Sequence, residues 1–273
     1  MSIYLTDVAI TEFDAMVKAV YQAEGFKLRN TMRTKSGVTG STVQFPVQGK
    51  GLAQQKATQD DVVPMNLNYD PITVTLANWH AADYSDIFDQ QEVNFDDLRE
   101  IARAAAMAIG RRSDQIAIDA LAGSGTSNTV AAGGVGFTYD KYLAMNKYFS
   151  QIGVSRSERR YVVINAAAEE DLLNEAEFIN RDYTNSMLLS DGRLDGKTVM
   201  GYTWIVIPDM DEGGVTSGKA YAWAQQSMGF ATGIDMRTNI SYQEKNTSYL
   251  VCSIFKAAAV AIDNTGIVEI SYV

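Results

Sequence analysis

Residues 94–121 read NFDDLREIARAAAMAIGRRSDQIAIDAL, and this stretch predicts one long helix that the rest of the fold must accommodate. Apolar side chains recur with a period near 3.6 residues, and no proline interrupts them. Asn94 is placed to cap the first turn, acidic residues follow where the helix dipole favours them, and Gly123 provides a stop. At a rise of roughly 1.5 Å per residue the helix would be about 42 Å long, about twice the usual length. Taken alone, it is also compatible with the core of an ordinary domain.

The composition indicates a folded, acidic protein. The chain has 273 residues, is 46% hydrophobic and carries a net charge of −10, so it is long enough for a sizeable core. No dense block of lysine and arginine is present, which argues against tight wrapping of nucleic acid by a basic surface. The single cysteine, Cys252, excludes a disulfide framework within the chain. Because no apolar run reaches roughly 18 residues, and because Asp7 and Glu12 argue against a signal peptide, we expect no membrane association.

The N-terminal region is predicted to contain one amphipathic helix. The segment TEFDAMVKAVYQAEGF, residues 11–26, places Phe13, Val17 and other apolar side chains on one helical face, and Gly25 ends the pattern. This apolar face must pack on something, either the protein's own core or a neighbouring subunit.

Residues 34–82 contain two strand-like segments separated by a long polar connection. Apolar residues alternate along both segments; they are Val43, Phe45 and Val47 in the first and Ile72, Val74 and Leu76 in the second. Pro46 favours an edge position. The connection of roughly two dozen residues, which includes Lys50 and Lys56, is too long for a normal hairpin. Since an isolated hairpin is only marginally stable in water, a protruding two-stranded arm needs a partner surface. A flexible surface loop is the alternative.

The remainder of the chain is predicted to be a connector followed by α/β and then β structure. Residues 83–93 form an acidic connector, and the glycine-rich residues 123–136 mark a domain boundary or a mobile loop. The last third is all β, with a long hairpin and a short closing strand. The predicted segments are helices at about 138–151 and 166–179 and strands at 161–165, 201–207, 220–226, 236–243, 249–262 and 267–273.

The sequence contains no convincing catalytic site. His80 is the only histidine and has no nucleophile in an activating context, so a structural role beside Trp79 is expected. Residues 191–198, DGRLDGKT, end like a P-loop but begin with aspartate instead of glycine and precede a strand-like segment, which argues against nucleotide binding. We expect no cofactor and no metal. A carboxylate-dependent hydrolase stays open as an alternative, and it would need acids that converge in one pocket with raised pKa values.

Arg111 and Arg112 lie in the middle of the long helix, beside Gly110. The ordinary interpretation is an exposed face on which an ion pair forms with Asp114, three residues after Arg111. The alternative is a contact with another subunit, or an inner surface that faces DNA. Both arginines are therefore candidate interface residues.

Taken in order, these segments resemble the major capsid proteins of tailed bacteriophages, the HK97-like class. The resemblance covers essentially the whole chain and rests on the order of N-terminal arm, extended loop, spine helix, α/β domain, long β-hairpin and closing strand. The stretches that carry it are YQAEGFKLRNTMRTKSGVTGSTVQFPVQGKG at 21–51, DDVVPMNLNYDPITVTL at 60–76, DIFDQQEVNFDDLREIARAAAMAIGRRSDQIAIDAL at 86–121 and AAAVAIDNTGIVEI at 257–270. None of them is a catalytic signature, and their combined order is what is specific.

The resemblance implies an α+β, HK97-like capsid fold and a structural function without catalysis. Many copies would form hexamers and pentamers that close into an icosahedral shell around double-stranded DNA in the virion, after assembly in the host cytoplasm. The implied divisions are an N-terminal arm (1–33), an extended loop or E-loop (34–82) over a neighbouring subunit, a peripheral domain (83–123 and 230–266) with its spine helix (94–121), and an axial domain (124–229 and 267–273). The candidate subunit-interface residues are Phe13, Val17, Phe45, Pro46, Val47, Lys50, Lys56, Arg111 and Arg112.

The implied partners are further copies of the chain, a scaffolding protein, a portal protein, non-specifically bound DNA and, as an option, a decoration protein. Some members carry a cleaved N-terminal scaffolding segment; this chain starts almost at the arm, so we expect a separate scaffold. Others join subunits through a loop lysine, a hairpin-turn asparagine and a glutamate on the next strand. Lys50 or Lys56 and Asn246 match the first two roles, but residues 249–260, YLVCSIFKAAAV, contain no acid, so we expect no autocatalytic cross-link.

Alternatives to a phage head stay open from the sequence alone. An encapsulin-like compartment shell would keep the fold but enclose cargo enzymes instead of DNA. The hydrolase, or a virion protein other than the main shell such as a decoration protein, would change the class of function.

Overall fold

A computed structural model describes residues 25–59, 61–92, 96–175, 194–208 and 214–273. The strands in these ranges are β1 (Arg33–Lys35), β2 (Thr42–Gln48), β3 (Tyr69–Thr75), β4 (Ala77–Asp86), β5 (Thr129–Val130), β6 (Arg160–Ile164), β7 (Thr198–Val199), β8 (Tyr202–Val206), β9 (Lys219–Ala224), β10 (Met228–Gln243), β11 (Ser248–Ala261) and β12 (Ile267–Ser271). The α-helices are α1 (Ile87–Glu92), α2 (Asp97–Ala122), α3 (Tyr139–Ile152) and α4 (Ala166–Asn174). Short 3-10 turns occupy Arg29–Thr31, Gln225–Ser227 and Asn264–Gly266. None of the described helices is long and apolar enough to cross a membrane.

The long helix α2 is 26 residues and begins three residues later than the sequence predicted. Asp96, not Asn94, is the N-cap, and its carboxylate accepts a hydrogen bond from the Arg99 backbone N–H at 3.2 Å. Aspartate and asparagine are equally good caps, so the period of the apolar residues alone could not choose between them. At the other end, the Gly123 N–H donates to the Asp119 carbonyl at 2.8 Å.

The larger sheet has six strands in the order β5-β12-β9-β6-β8-β7 and is covered on both faces. Along β6, Val162 and Ile164 face one apolar core, and Tyr161 and Val163 face the other. The first core includes residues of α3 and α4, and the second includes one face of α2. This pattern explains why β6 reads as a continuous apolar run rather than as an alternation.

The second sheet has four strands in the order β1-β10-β11-β4, with β10 and β11 forming a long antiparallel hairpin. Strand β4 corrects the sequence prediction for residues 83–93. Residues 83–86 are not a connector, because they continue β4 and pair with β11, where Asp86 lies opposite Ser248. Most of β4 is exposed, so its polar residues carry no alternating signal, and the pairing partner lies more than 150 residues away in sequence.

The predicted arm is present as a separate two-stranded antiparallel sheet of β2 and β3. At its base, Val43 and Phe45 pack with Leu76 of the same arm and with Ala231 and Ala258 of the four-stranded sheet. Farther out along the same two strands, Pro46 lies directly opposite Pro71.

Candidate subunit interface

The tip of the arm is a cluster of exposed apolar side chains. Leu52 is 81% exposed and Val62 is 78% exposed, and Val63, Met65 and Tyr69 are also largely in solvent. Leu52, Val62, Val63 and Met65 line one common hollow, and exposed apolar side chains grouped in this way typically mark a site of protein–protein interaction. We call residues 49–59 and 61–69 the arm tip.

The candidate residues of the arm divide between its base and its tip. Phe45 is only 2% exposed and is covered by the protein's own four-stranded sheet. Pro46 is exposed and Val47 is half-buried, so they lie where the arm leaves the body. Lys50 and Lys56 are exposed in the arm tip. A neighbour that contacts the arm would therefore meet its outer residues and not Phe45.

The segment that enters the described structure at residue 25 crosses the middle of α2. Gly25 has a φ of +41°, and a Cβ atom at this position would lie 2.0 Å from the Gly110 carbonyl carbon. The Phe26 N–H donates to the Gly110 carbonyl at 3.3 Å. Because Gly25 and Gly110 have no side chains, the backbone of the entering segment can lie directly against the backbone of α2. Phe13 and Val17, with the predicted helix at 11–26 up to residue 24, lie outside the described residues.

Asp114, one turn further along α2, holds the same entering segment against the helix. Its two carboxylate oxygens accept the backbone N–H groups of Lys27, at 3.2 Å, and of Leu28, at 3.0 Å. Burial raises the pKa of Asp114 to about 6, although both hydrogen bonds and the nearby Lys27 oppose the shift. The sequence suggested that Asp114 forms an ion pair with Arg111. In the structure, the Asp114 carboxylate instead binds the backbone of the entering chain. Nothing in the local sequence indicated this contact, which spans 86 residues.

Further contacts hold the entering chain against both sheets. The Arg29 guanidinium pairs with Asp235 of β10 at 2.7 Å, and the Trp223 indole N–H donates to the Thr31 carbonyl at 3.3 Å. Strand β1 then adds in parallel to the first residues of β10. The segment from residue 25 to the end of β1 is therefore part of the folded body.

Arg111 and Arg112 are both half-buried on α2. The Arg112 guanidinium stacks on the indole ring of Trp79 in β4, at 3.7 Å from the ring centroid. This cation–π contact ties the spine helix to the four-stranded sheet. The stacking partner lies on a strand that the sequence did not predict, so the pairing could not be anticipated.

The described residues do not assemble the chemistry of an active site. His80 is exposed on β4, opposite Ile254 of β11. Within the described ranges, no cluster of three histidine, cysteine or acidic side chains is arranged to hold a metal. The raised pKa of Asp114 belongs to a single carboxylate that two backbone N–H groups occupy, not to a converging pair. The Gly-Lys-Thr at 196–198 leads into strand β7 rather than into the helix that a P-loop requires.

Comparison with solved structures places this fold among phage capsid proteins. The capsid of cyanophage P-SCSP1u aligns with a TM-score of 0.79 at 12% identity, covering 98% of this chain and 94% of the other. A Mycobacterium phage Che8 structure aligns with a TM-score of 0.71 at 15% identity, covering 95% of each chain. The capsid of Ralstonia phage GP4 aligns with a TM-score of 0.69 at 14% identity, covering 100% of this chain and 98% of the other. At these identities the similarity establishes the α+β, HK97-like fold.

The sequence itself matches the family model described as phage capsid protein over residues 5–273. Comparison with curated proteins finds no significant match. A phage family model that spans nearly the whole chain favours a phage head over the encapsulin-like compartment, and a structural protein over the hydrolase. The chain therefore belongs to the phage capsid protein family and is a structural major capsid protein that forms an icosahedral shell, not an enzyme.

Proposed function

We propose that copies of this chain assemble through the arm tip, which lies over a neighbouring copy, into the hexamers and pentamers of a shell that encloses double-stranded DNA. The observation that carries this proposal is the apolar surface of the arm tip, with Leu52 and Val62 both more than three-quarters exposed. Burying apolar surface of this kind contributes about 25 cal/mol per Å². A second copy supplies that burial in every subunit of a closed shell.

The division of the chain into an N-terminal arm (1–33), E-loop (34–82), peripheral domain (83–123 and 230–266) and axial domain (124–229 and 267–273) is part of the proposal. The two covered faces of the six-stranded sheet and the separate arm support it. In this arrangement Arg112 stacks on Trp79 where α2 meets β4, and Arg111, Phe13 and Val17 contact neighbouring copies.

The proposed assembly takes place in the host cytoplasm with a separate scaffolding protein and a portal, and a decoration protein is an optional addition. Contact with DNA is non-specific. The net charge of −10 supports loose rather than tight contact with the genome, because phosphate binding depends on clustered positive charge.

Electron microscopy of the purified protein, with and without its scaffold, tests the proposal. Closed shells or capsomer rings are expected for the wild type. The double variant Leu52→Ser/Val62→Ser should leave the unfolding midpoint of free subunits nearly unchanged, since both side chains are exposed, but should strongly reduce the yield of shells.

Val273→Ser is the matched control, because Val273 is also exposed, at 82%, but lies at the far end of the chain. It should leave the yield of shells unchanged. Normal shell yield from the double variant, or wild-type protein that stays monomeric under all conditions, would contradict the proposed role of the arm tip.

A further inference from the structure

A pocket of about 210 Å³ lies in the axial domain, between α3 and the start of β6. Its polar lining comprises Tyr142, Asn146 and Ser150 from α3, together with Arg156 and Arg160. Arg156 is exposed at the rim, whereas Arg160 is only 8% exposed. We call this cavity the Arg160 pocket. Nothing in the proposed assembly makes use of it.

The Arg160 guanidinium is held by neutral groups. One terminal N–H group donates to the Tyr202 hydroxyl at 3.3 Å, and the other donates to the Val154 carbonyl at 3.0 Å. The guanidinium also lies 5.4 Å from the centre of the Phe149 ring. Its Nε is buried and has no hydrogen-bond partner.

The positive charge of Arg160 has no carboxylate partner among the described residues. Glu158, two positions away in sequence, accepts the Gln226 N–H instead. Burial raises the pKa of Tyr202, despite the opposing effect of Arg160, so the phenol stays neutral and supplies no negative charge. A buried arginine remains charged, and a buried charge without a counter-ion is strongly unfavourable.

The other polar groups of the pocket are also suited to a negative ligand. The Asn146 side-chain oxygen already accepts the Tyr202 hydroxyl at 3.2 Å, which leaves its amide N–H groups as donors. The Ser150 hydroxyl is a further donor, and Arg156 adds a second positive charge at the rim. Arginine pairs preferentially with planar carboxylate and with phosphate oxygens.

We propose that the Arg160 pocket binds a small oxyanion, whose oxygens pair with Arg156 and neutralise the buried charge of Arg160. Two sources carry this chemistry: an acidic side chain of a neighbouring copy, or a free phosphate ion. The first source rests on the proposed assembly, and the second does not. In either case the anion holds the connection between α3 and β6 in place.

Thermal unfolding of unassembled subunits tests the free-ion source without requiring a shell. Inorganic phosphate, compared with chloride at matched ionic strength, should raise the unfolding midpoint progressively, by about 5 °C at concentrations near 100 times the dissociation constant. Arg156→Ala should abolish this increment, measured for each variant against its own midpoint in chloride. Arg159→Ala, which removes an adjacent exposed arginine outside the pocket, should retain it.

A density map of the assembled shell tests the neighbouring-copy source. A carboxylate from an adjacent copy in the pocket, with a lower unfolding midpoint for Arg156→Ala shells than for Arg159→Ala shells, supports that source. An isolated tetrahedral density supports a free phosphate. The proposal is overturned if phosphate has no specific effect on subunits and the pocket in the shell contains only water. Failure of the protein to form shells would count against the proposed assembly, whereas the result with phosphate on free subunits would still decide the free-ion source.

Discussion

The six-stranded sheet and the four-stranded sheet differ in how much of their surface one chain can cover. Every residue of β6 is buried, because α2 lies on one side of its sheet and α3 and α4 on the other. In the four-stranded sheet, residues 228–232 of β10 are buried but residues 234–242 are exposed. The exposed half still carries apolar side chains, including Ile234, Ile240 and Tyr242.

We infer that the covered sheet stabilises the folded subunit, whereas the exposed apolar surfaces serve assembly. A sheet with both faces covered obtains its stabilisation within one subunit, since the burial of apolar surface is complete there. The hairpin and the arm tip keep exposed apolar surface that a neighbouring copy can cover. Damage to the first region should therefore lower subunit stability, whereas damage to the second should spare the subunit and affect the shell.

The largest expected effect is in the six-stranded sheet. Trp204→Ala removes a fully buried ring whose indole N–H donates to the Val199 carbonyl at 3.3 Å. We expect the free energy of unfolding to fall by about 3–5 kcal/mol, as measured by denaturant titration of free subunits. Ile240→Ala, on the exposed half of β10, should change it by less than about 0.5 kcal/mol. Equal losses in the two variants would remove the distinction between the sheets.

The next effect concerns Asp114, where the entering chain meets the spine helix. Its pKa of about 6 lies above the ordinary value of 3.8, so the native state binds this proton more tightly than the unfolded chain does. The resulting stabilisation is fully present below about pH 4 and is lost as the pH rises through about 6. It is on the order of 3 kcal/mol, since one pKa unit corresponds to about 1.4 kcal/mol.

Unfolding titrations of the wild type and of Asp114→Asn between pH 4 and 7 isolate this contribution. The asparagine does not titrate, so the stability difference, wild type minus variant, should decline from pH 4 to 6 and then level off. A difference that does not vary with pH would show that Asp114 does not titrate in this range.

The smallest effect is expected for the ion pair between Arg29 and Asp235. The two groups are 2.7 Å apart, but the Asp235 side chain is 66% exposed, so solvent screens the pair. Arg29→Ala should lower the free energy of unfolding by less than about 1 kcal/mol at low salt, and by less still at high salt. Arg237→Ala removes another exposed arginine of β10 and serves as the control. If Arg29→Ala lowered the free energy of unfolding by several kcal/mol, the pair would not be screened by solvent, and this part of the four-stranded sheet would be as well covered as the six-stranded sheet.

The features that the sequence predicted well are those with a local signal. The apolar period of α2, the alternation in β2 and β3 and the apolar run of β6 each reflect a burial pattern within one element. The resemblance in the order of elements led to the capsid family, and the family model supports it.

The features that escaped prediction depend on partners distant in the chain. Strand β4 is formed by pairing with β11, and Arg112 stacks on Trp79 of that same strand. Asp114 looked like a surface ion-pair partner, and its actual role is to accept N–H groups from residues 27 and 28. The arm tip was expected to need a partner, but only the structure separates it from the covered Phe45 at the base.

The proline pair in the arm has a consequence for the solubility of subunits before they assemble. The Gly49 N–H donates to the Asn68 carbonyl across the arm, and the Leu76 N–H donates to the Ser41 carbonyl, so both N–H groups point inward. Along each strand, successive N–H groups then point alternately inward, toward the facing strand, and outward, away from it. By that alternation, positions 46 and 71 face outward, one on each edge of the arm. Proline has no N–H group to donate at these positions. A strand of another molecule that paired with either edge of the arm would therefore lack one backbone hydrogen bond. The arm can therefore display apolar side chains to a neighbour while resisting edge-to-edge aggregation with other arms.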